Sequence, residues 1–162
     1  MKKLVVSTAV SIVVLALCAG IAGAQSATER EITQLILDGN EYSKKNLKDV
    51  GDSASKAGSL EFWSSGGLLQ QVPPGGAPVR DFDAFSLDAK HIQVITLVEG
   101  QAAVAQYYSE GSMKPKGSPA VPHYLTRVTE VYVKEDGKWK VRAAHWSAVT
   151  GGSGTSQTSL DQ

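Results

Sequence analysis

The chain is poor in the residues that make chemistry easy to find. Its 162 residues include a single cysteine, Cys18, which excludes an intramolecular disulfide and a cysteine-rich metal site. Charge of one sign is also missing, since 16 Lys and Arg balance 16 Asp and Glu. No arginine- or lysine-rich patch stands out, so there is no electrostatic footprint for nucleic acid. There is no Gly-rich phosphate loop, no Ser-His-Asp spacing and no internal repeat. One globular domain with a real core is the natural expectation at this length.

The long apolar run lies at the start. Lys2 and Lys3 precede Leu4 to Leu17, and Ala22-Gly23-Ala24 follows before Gln25. A positive start, a short apolar middle and an A-x-A site describe a secretory signal peptide over 1–24, cut after Ala24. Two alternatives are a retained anchor, for which the run is short, and lipid attachment at Cys18, against which the bulky Leu17 argues. Cleavage would remove the only cysteine and place the protein outside the cell or in the periplasm, with no membrane attachment. At the other end, 151–162 is Gly, Ser, Thr and Gln, a tail expected to be disordered.

Between these ends, over 28–148, the pattern is helix first and strands after. Thr28 and Glu31 have capping-box spacing, and Ile32, Leu35, Ile36, Gly39 and Tyr42 follow at helical intervals. The spacing predicts a helix over 28–45, and Asn46 to Ala57 a shorter second one weakened by Gly51 and the serines. Leu60 to Trp63 reads as a short strand, and 73–78 as a Pro- and Gly-rich loop. Ala89–Val98 and Gln101–Met113 form a hairpin whose register stays open, because Ile92, Val94, Ile95 and Leu97 make both faces apolar. One or two helices laid on a curved antiparallel sheet is an α+β domain.

The last hairpin, 122–148, turns at Glu135-Asp136-Gly137. A three-residue loop with Gly137 in a bulge predicts that Lys134 pairs with Lys138. His123, Leu125, Arg127, Thr129, Val131 and Val133 would then share a buried face with Trp139, Val141, Ala143, His145 and Ser147. That register also sets Glu130 opposite Arg142. The alternative two-residue turn would pair Glu135 with Lys138 and mix valines with lysines. On the preferred face Arg127, His123, His145, Thr129 and Ser147 converge at the polar end, which predicts a pocket.

Lys134-Glu135-Asp136-Gly137-Lys138-Trp139-Lys140-Val141 followed by Ala144-His145-Trp146-Ser147 resembles the closing hairpin of the nuclear transport factor 2-like superfamily. Bacterial SnoaL-like domains and the association domain of calcium/calmodulin-dependent protein kinase II are the nearest groups. The helix-first layout and Phe62-Trp63 before Gly66-Gly67 agree with it. The resemblance implies a cone-shaped sheet wrapped around N-terminal helices, a central cavity, and dimerisation through the outer sheet face. Such members include both enzymes and binding modules, so the fold does not choose the function. Asp81 and Asp83 do not match the context of the isomerases' general-base aspartate.

Two functions follow as expectations. The first is a dimeric, exported module that binds a small polar or anionic organic ligand through Arg127, His123, Thr129, Ser147, Trp63 and Tyr107. The second is a cofactor-free isomerase, cyclase or dehydratase with His145 as general acid or base and Arg127 stabilising the developing charge. No carboxylate completes a site with His123 and His145, so no metal is expected, and no cofactor.

Overall fold

The computed structural model describes residues 25–149. The signal-peptide segment 1–24, with Cys18, and the tail 151–162 lie outside the described residues. One helix, α1 (Ala27–Asn46), is followed by β1 (Ser59–Phe62), β2 (Gln70–Val72), β3 (Phe82–Val98), β4 (Ala102–Pro115), β5 (Val121–Glu135) and β6 (Lys138–Ala148). The strands form one six-stranded sheet in the order β2-β1-β6-β5-β4-β3. The sheet is curved and not closed, and the fold is α+β. It is mixed rather than wholly antiparallel, because β1 runs parallel to β6.

Helix α1 starts earlier than its sequence pattern predicts. Ser26 is the N-cap: its hydroxyl accepts from the Glu29 N–H while the Glu29 carboxylate accepts from the Ser26 N–H. Thr28 and Glu31 are thereby freed for tertiary bonds. The Thr28 N–H donates to Glu99 at the β3–β4 turn, and its hydroxyl accepts from the Gly100 N–H. Glu31 accepts from Lys134 and from the Trp139 indole, tying the helix to the β5–β6 hairpin. Only a narrow stripe, Thr28, Ile32, Ile36 and Ser43, is buried. Leu35 and Tyr42, expected in that stripe, stay partly outside because α1 crosses β3 and β4 on one edge.

The second helix does not form. Leu47 closes α1 in the left-handed conformation, its N–H bonded to the Ser43 carbonyl. The chain beyond it is recruited by strands instead. Asp49 donates its N–H to the Arg80 carbonyl, and Ser53 and Ser55 bracket Val141 with backbone bonds. Sheet ladders outbid a weak helix former carrying Gly51 and several serines.

The β3–β4 hairpin resolves the register left open above. Leu87 and Ala89 lie opposite Gly111 and Ser109, while Val94 and Thr96 lie opposite Ala105 and Ala103. A bulge between Lys90 and Gln93, with His91 at φ 55°, exchanges the faces midway. From the bulge onward Ile92 and Val94 turn inward while Ile95 and Leu97 are exposed, so the outward face of this strand is itself apolar.

The β5–β6 turn corrects the expected register. Asp136 and Gly137 have φ of 49° and 76°, a two-residue type I′ turn, and Glu135 pairs with Lys138. A bulge appears on β6 instead, between the pairs Tyr132–Val141 and Val131–Ala143. Glu130 therefore faces Ala144, and Arg142 sits in the bulge, donating to the Gly58 carbonyl.

Candidate functional site

Strand β5 shows which face is inside. Thr126, Val128, Glu130 and Tyr132 are buried, and the residues between them are not. The helix-facing, concave side of the sheet thus carries the even-numbered residues of β5, together with Ala103, Ala105, Tyr107, Trp139, Val141 and Trp146 around Ile32 and Ile36. The expected buried face is the other one along β5 and at Ala143, His145 and Ser147, whereas Trp139 and Val141, before the β6 bulge, do face inward as expected. Valines line that other face too, so hydrophobicity alone could not choose between them.

This places the predicted site residues. Arg127 pairs with Ser147, and Thr129 with His145, so these four do share a face. It is the convex, outward one, and His123 and Leu125 stand exposed on the same side of β5. The His145 ring packs against Phe62, with centroids 5.5 Å apart. An open depression of about 440 Å³ near His123 is lined by Ser86, Glu110, Ser112 and Leu125 among others. Tyr107 and Trp63 are separated from all of these, on the concave side.

The residue that sequence reasoning missed is Glu130. It is 8 % exposed, and its Oε2 accepts from both the Tyr107 hydroxyl (3.0 Å) and the Tyr132 hydroxyl (2.5 Å). Both phenols use the same oxygen, which leaves Oε1 for another donor. Burial pushes the Glu130 carboxyl above the ordinary glutamate value, against the pull of the two phenols, and the Glu61 charge adds to the rise. Burial also drives both phenols well above the ordinary tyrosine value, so they remain donors. The signal for Glu130 is its period-two placement with Val128 and Tyr132, which the three-residue-turn register puts on the outer face opposite Arg142.

Glu61 belongs to the same row. It pairs with Ala144 on β6, and Ala144 pairs with Glu130 on β5. The two carboxylates flank one methyl group, their Cα atoms about 10 Å apart at two strand spacings. Ser59 and the Trp63 indole (2.8 Å) each donate to Glu61. One row along, the Tyr107 and Trp146 rings meet edge to face at 6.0 Å. Further along the same face, the Thr126 hydroxyl is buried without a hydrogen-bond partner among the described residues. Tyr124 closes the row, its hydroxyl 2.9 Å from that of Ser64.

Comparison with known proteins adds the fold. No family model matches the sequence, and no curated protein matches it. Among solved structures, a nuclear transport factor 2-like protein of unknown function from Pseudomonas putida KT2440 is similar, with a TM-score of 0.52 at 18 % identity over 84 % of this chain and 94 % of that one. A nuclear transport factor 2-like protein from Prochlorococcus gives 0.49 at 21 % identity, over 84 % and 99 %. The CaMKII hub homology domain of Chlamydamonas reinhardtii gives 0.42 at 20 %, over 76 % and 94 %. The chain has the nuclear transport factor 2-like fold.

Proposed function

We propose that this nuclear transport factor 2-like domain is an exported, self-associating module that holds a small polar organic molecule on the concave face of its sheet. The buried Glu130, shared by two phenols and with one oxygen left over, carries this reading. Polar groups sealed inside a core cost stability unless something pairs with them, and a pocket for a polar ligand gives them a purpose. The anionic option depended on Arg127 facing inward, and Arg127 faces outward. Acid–base work by His145 would need a substrate on the convex face, beside Phe62. Export rests on the pattern of residues 1–24.

Self-association rests on the convex face. Ile95, Val104, Val131, Ala143 and Leu60 stand in one row across five strands. Ile95 is 53 % exposed and Leu60 40 %. An apolar row this long on a bare sheet face is a natural seat for a second copy of the chain. Sedimentation of the wild type and of Ile95→Lys tests it. A dimer that becomes a monomer with unchanged circular dichroism is expected; a wild type monomeric at all concentrations overturns the self-association. The ligand reading is tested by a thermal-shift screen of polar small molecules, in which hits lose their shift in Tyr107→Phe and keep it in Arg127→Ala. Retention in the first and loss in the second would move the site to the convex side.

A further inference from the structure

The convex face changes character row by row, counted from the β5–β6 turn. In the first row Val133 lies beside Ala102 and Val98, and Lys140, tied to Asp52, closes it. The second row is Ile95, Val104, Val131, Ala143 and Leu60. The third is Gln93, Gln106, Thr129, His145 and Phe62, and the fourth Lys90, Tyr108, Arg127 and Ser147. The half nearest the turn is therefore apolar, and the half beyond it is largely polar. Size varies as well. The second row is small in its middle, at Val104, Val131 and Ala143, and large at its exposed flanks, Ile95 on β3 and Leu60 on β1. Exposed Leu97 and Phe62 stand two residues on from these along their strands, and Gln71 on β2 ends the row.

We propose that a second copy of this chain sits on the convex face about a two-fold axis parallel to β5, so that Ile95 of each protomer meets Leu60 of the other. This rests on the reading of that face as the self-association surface, and it fixes how the two copies are turned. Two axes lying in the face could bring it against itself. An axis across the strands stacks like strand on like strand and reverses the rows. With the second row laid on itself, Thr129 and His145 would then fall on the Val133 and Ala102 row, burying polar groups against apolar ones. An axis along the strands keeps each row on its own kind and sets β3 over β1. Apolar rows then meet apolar rows, and the polar rows become a rim. Because the apolar row runs from β3 to β1, the axis that lays it on itself follows β5. Arg127 also lies near that axis, two rows out, in the solvated rim where charge is screened. Curvature is the second reason. Two convex sheets touch along a line and part on either side, so close packing needs small residues on the line and large ones at the flanks. Val131 is on the line, and Ile95 and Leu60 fill the widening gap. Area agrees: five strands at about 4.8 Å and about ten residues at about 3.4 Å make a face of about 800 Å², which a standard interface takes from each partner.

Exchanged charges test the arrangement by sedimentation of the purified full-length protein. Within one chain Ile95 and Leu60 are four strand spacings apart, about 19 Å, so charges placed at both can pair only across the axis. Ile95→Lys and Leu60→Glu are each expected to be monomeric, with association weakened at least about a hundredfold. Their equimolar mixture is expected to form a dimer at least about tenfold tighter than either variant alone, since one contact becomes lysine on glutamate and the other stays Leu60 on Ile95. The double variant, with lysine on glutamate at both contacts, should likewise form a dimer. The reversed pair, Ile95→Glu with Leu60→Lys, gives the same comparison where a variant loses its circular dichroism. If the wild type is a dimer but neither the mixture nor the double variant recovers one, the arrangement falls and self-association stands. The arrangement also falls if Ile95→Lys recovers a dimer with Ile95→Glu instead, which would set β3 over β3. A wild type monomeric at all concentrations, or single variants as dimeric as the wild type, removes both readings.

Discussion

The two faces of β5 are made of one strand and obey opposite rules. Outward, Arg127 and Thr129 are polar groups that water satisfies, and they line up with Ser147 and His145 at no cost. Inward, Glu130 is satisfied by two phenol donors, and the Thr126 hydroxyl is buried without a partner among the described residues. The polar residues that look like a site in the sequence are those on the cheap face. Those carrying information are on the expensive face, because a buried polar group persists only where something pairs with it.

The largest test of this contrast replaces the acid at its centre. Glu130→Leu should destabilise the fold by about 2–4 kcal/mol in urea unfolding, because it strands two buried phenols. Adding Tyr107→Phe and Tyr132→Phe should recover most of the loss, since removing all partners of a buried polar group is nearly neutral. No recovery would mean that packing, not hydrogen bonding, holds these residues.

A pH comparison sharpens the same point. The Glu130 carboxyl is raised in the folded state, so the folded chain holds this proton more tightly than the unfolded one. Its unfavourable contribution is absent below the unfolded value of 4.5 and grows as pH rises through the folded value. Carboxylates at Asp52, Asp83 and Asp136 are lowered by their lysine partners and act in the opposite sense, favouring the fold as pH rises. The difference between wild type and Glu130→Gln cancels them. Wild type should lose stability relative to the variant as pH climbs from 4.5; a flat difference would mean Glu130 titrates normally.

The smallest effects belong outside. Arg127→Ala and His145→Ala, measured in the monomeric Ile95→Lys background, should each change stability by less than about 0.5 kcal/mol. A loss near that of Glu130→Leu from either would erase the distinction between the faces.

The architecture was largely legible. The helix-first order, the Glu99-Gly100 turn, the position of the last bend at 135–137 and the α+β class were readable from turn residues and apolar spacing, but the type and register of that last turn were not. The missing second helix was a competition between local propensity and the free edge of β6 at Val141, which spacing does not reveal. The site was much less legible. Tyr107 and Trp63, expected ligand contacts, lie on the concave side with Glu130 and Glu61, whose inward placement is not legible because acids are ordinarily solvated and both faces of the last hairpin carry valine or aromatic residues.

Local chemistry determined by itself where this chain bends and which stretches are extended: an Asp-Gly turn and β-branched runs need only their neighbours. Which side of the sheet became the interior was a tertiary decision. It depended on two bulges, at His91 and at Arg142, each of which exchanges the faces, and on α1 crossing β3 and β4. A single added residue in a strand inverts everything beyond it, so burial here is a property of the assembled sheet.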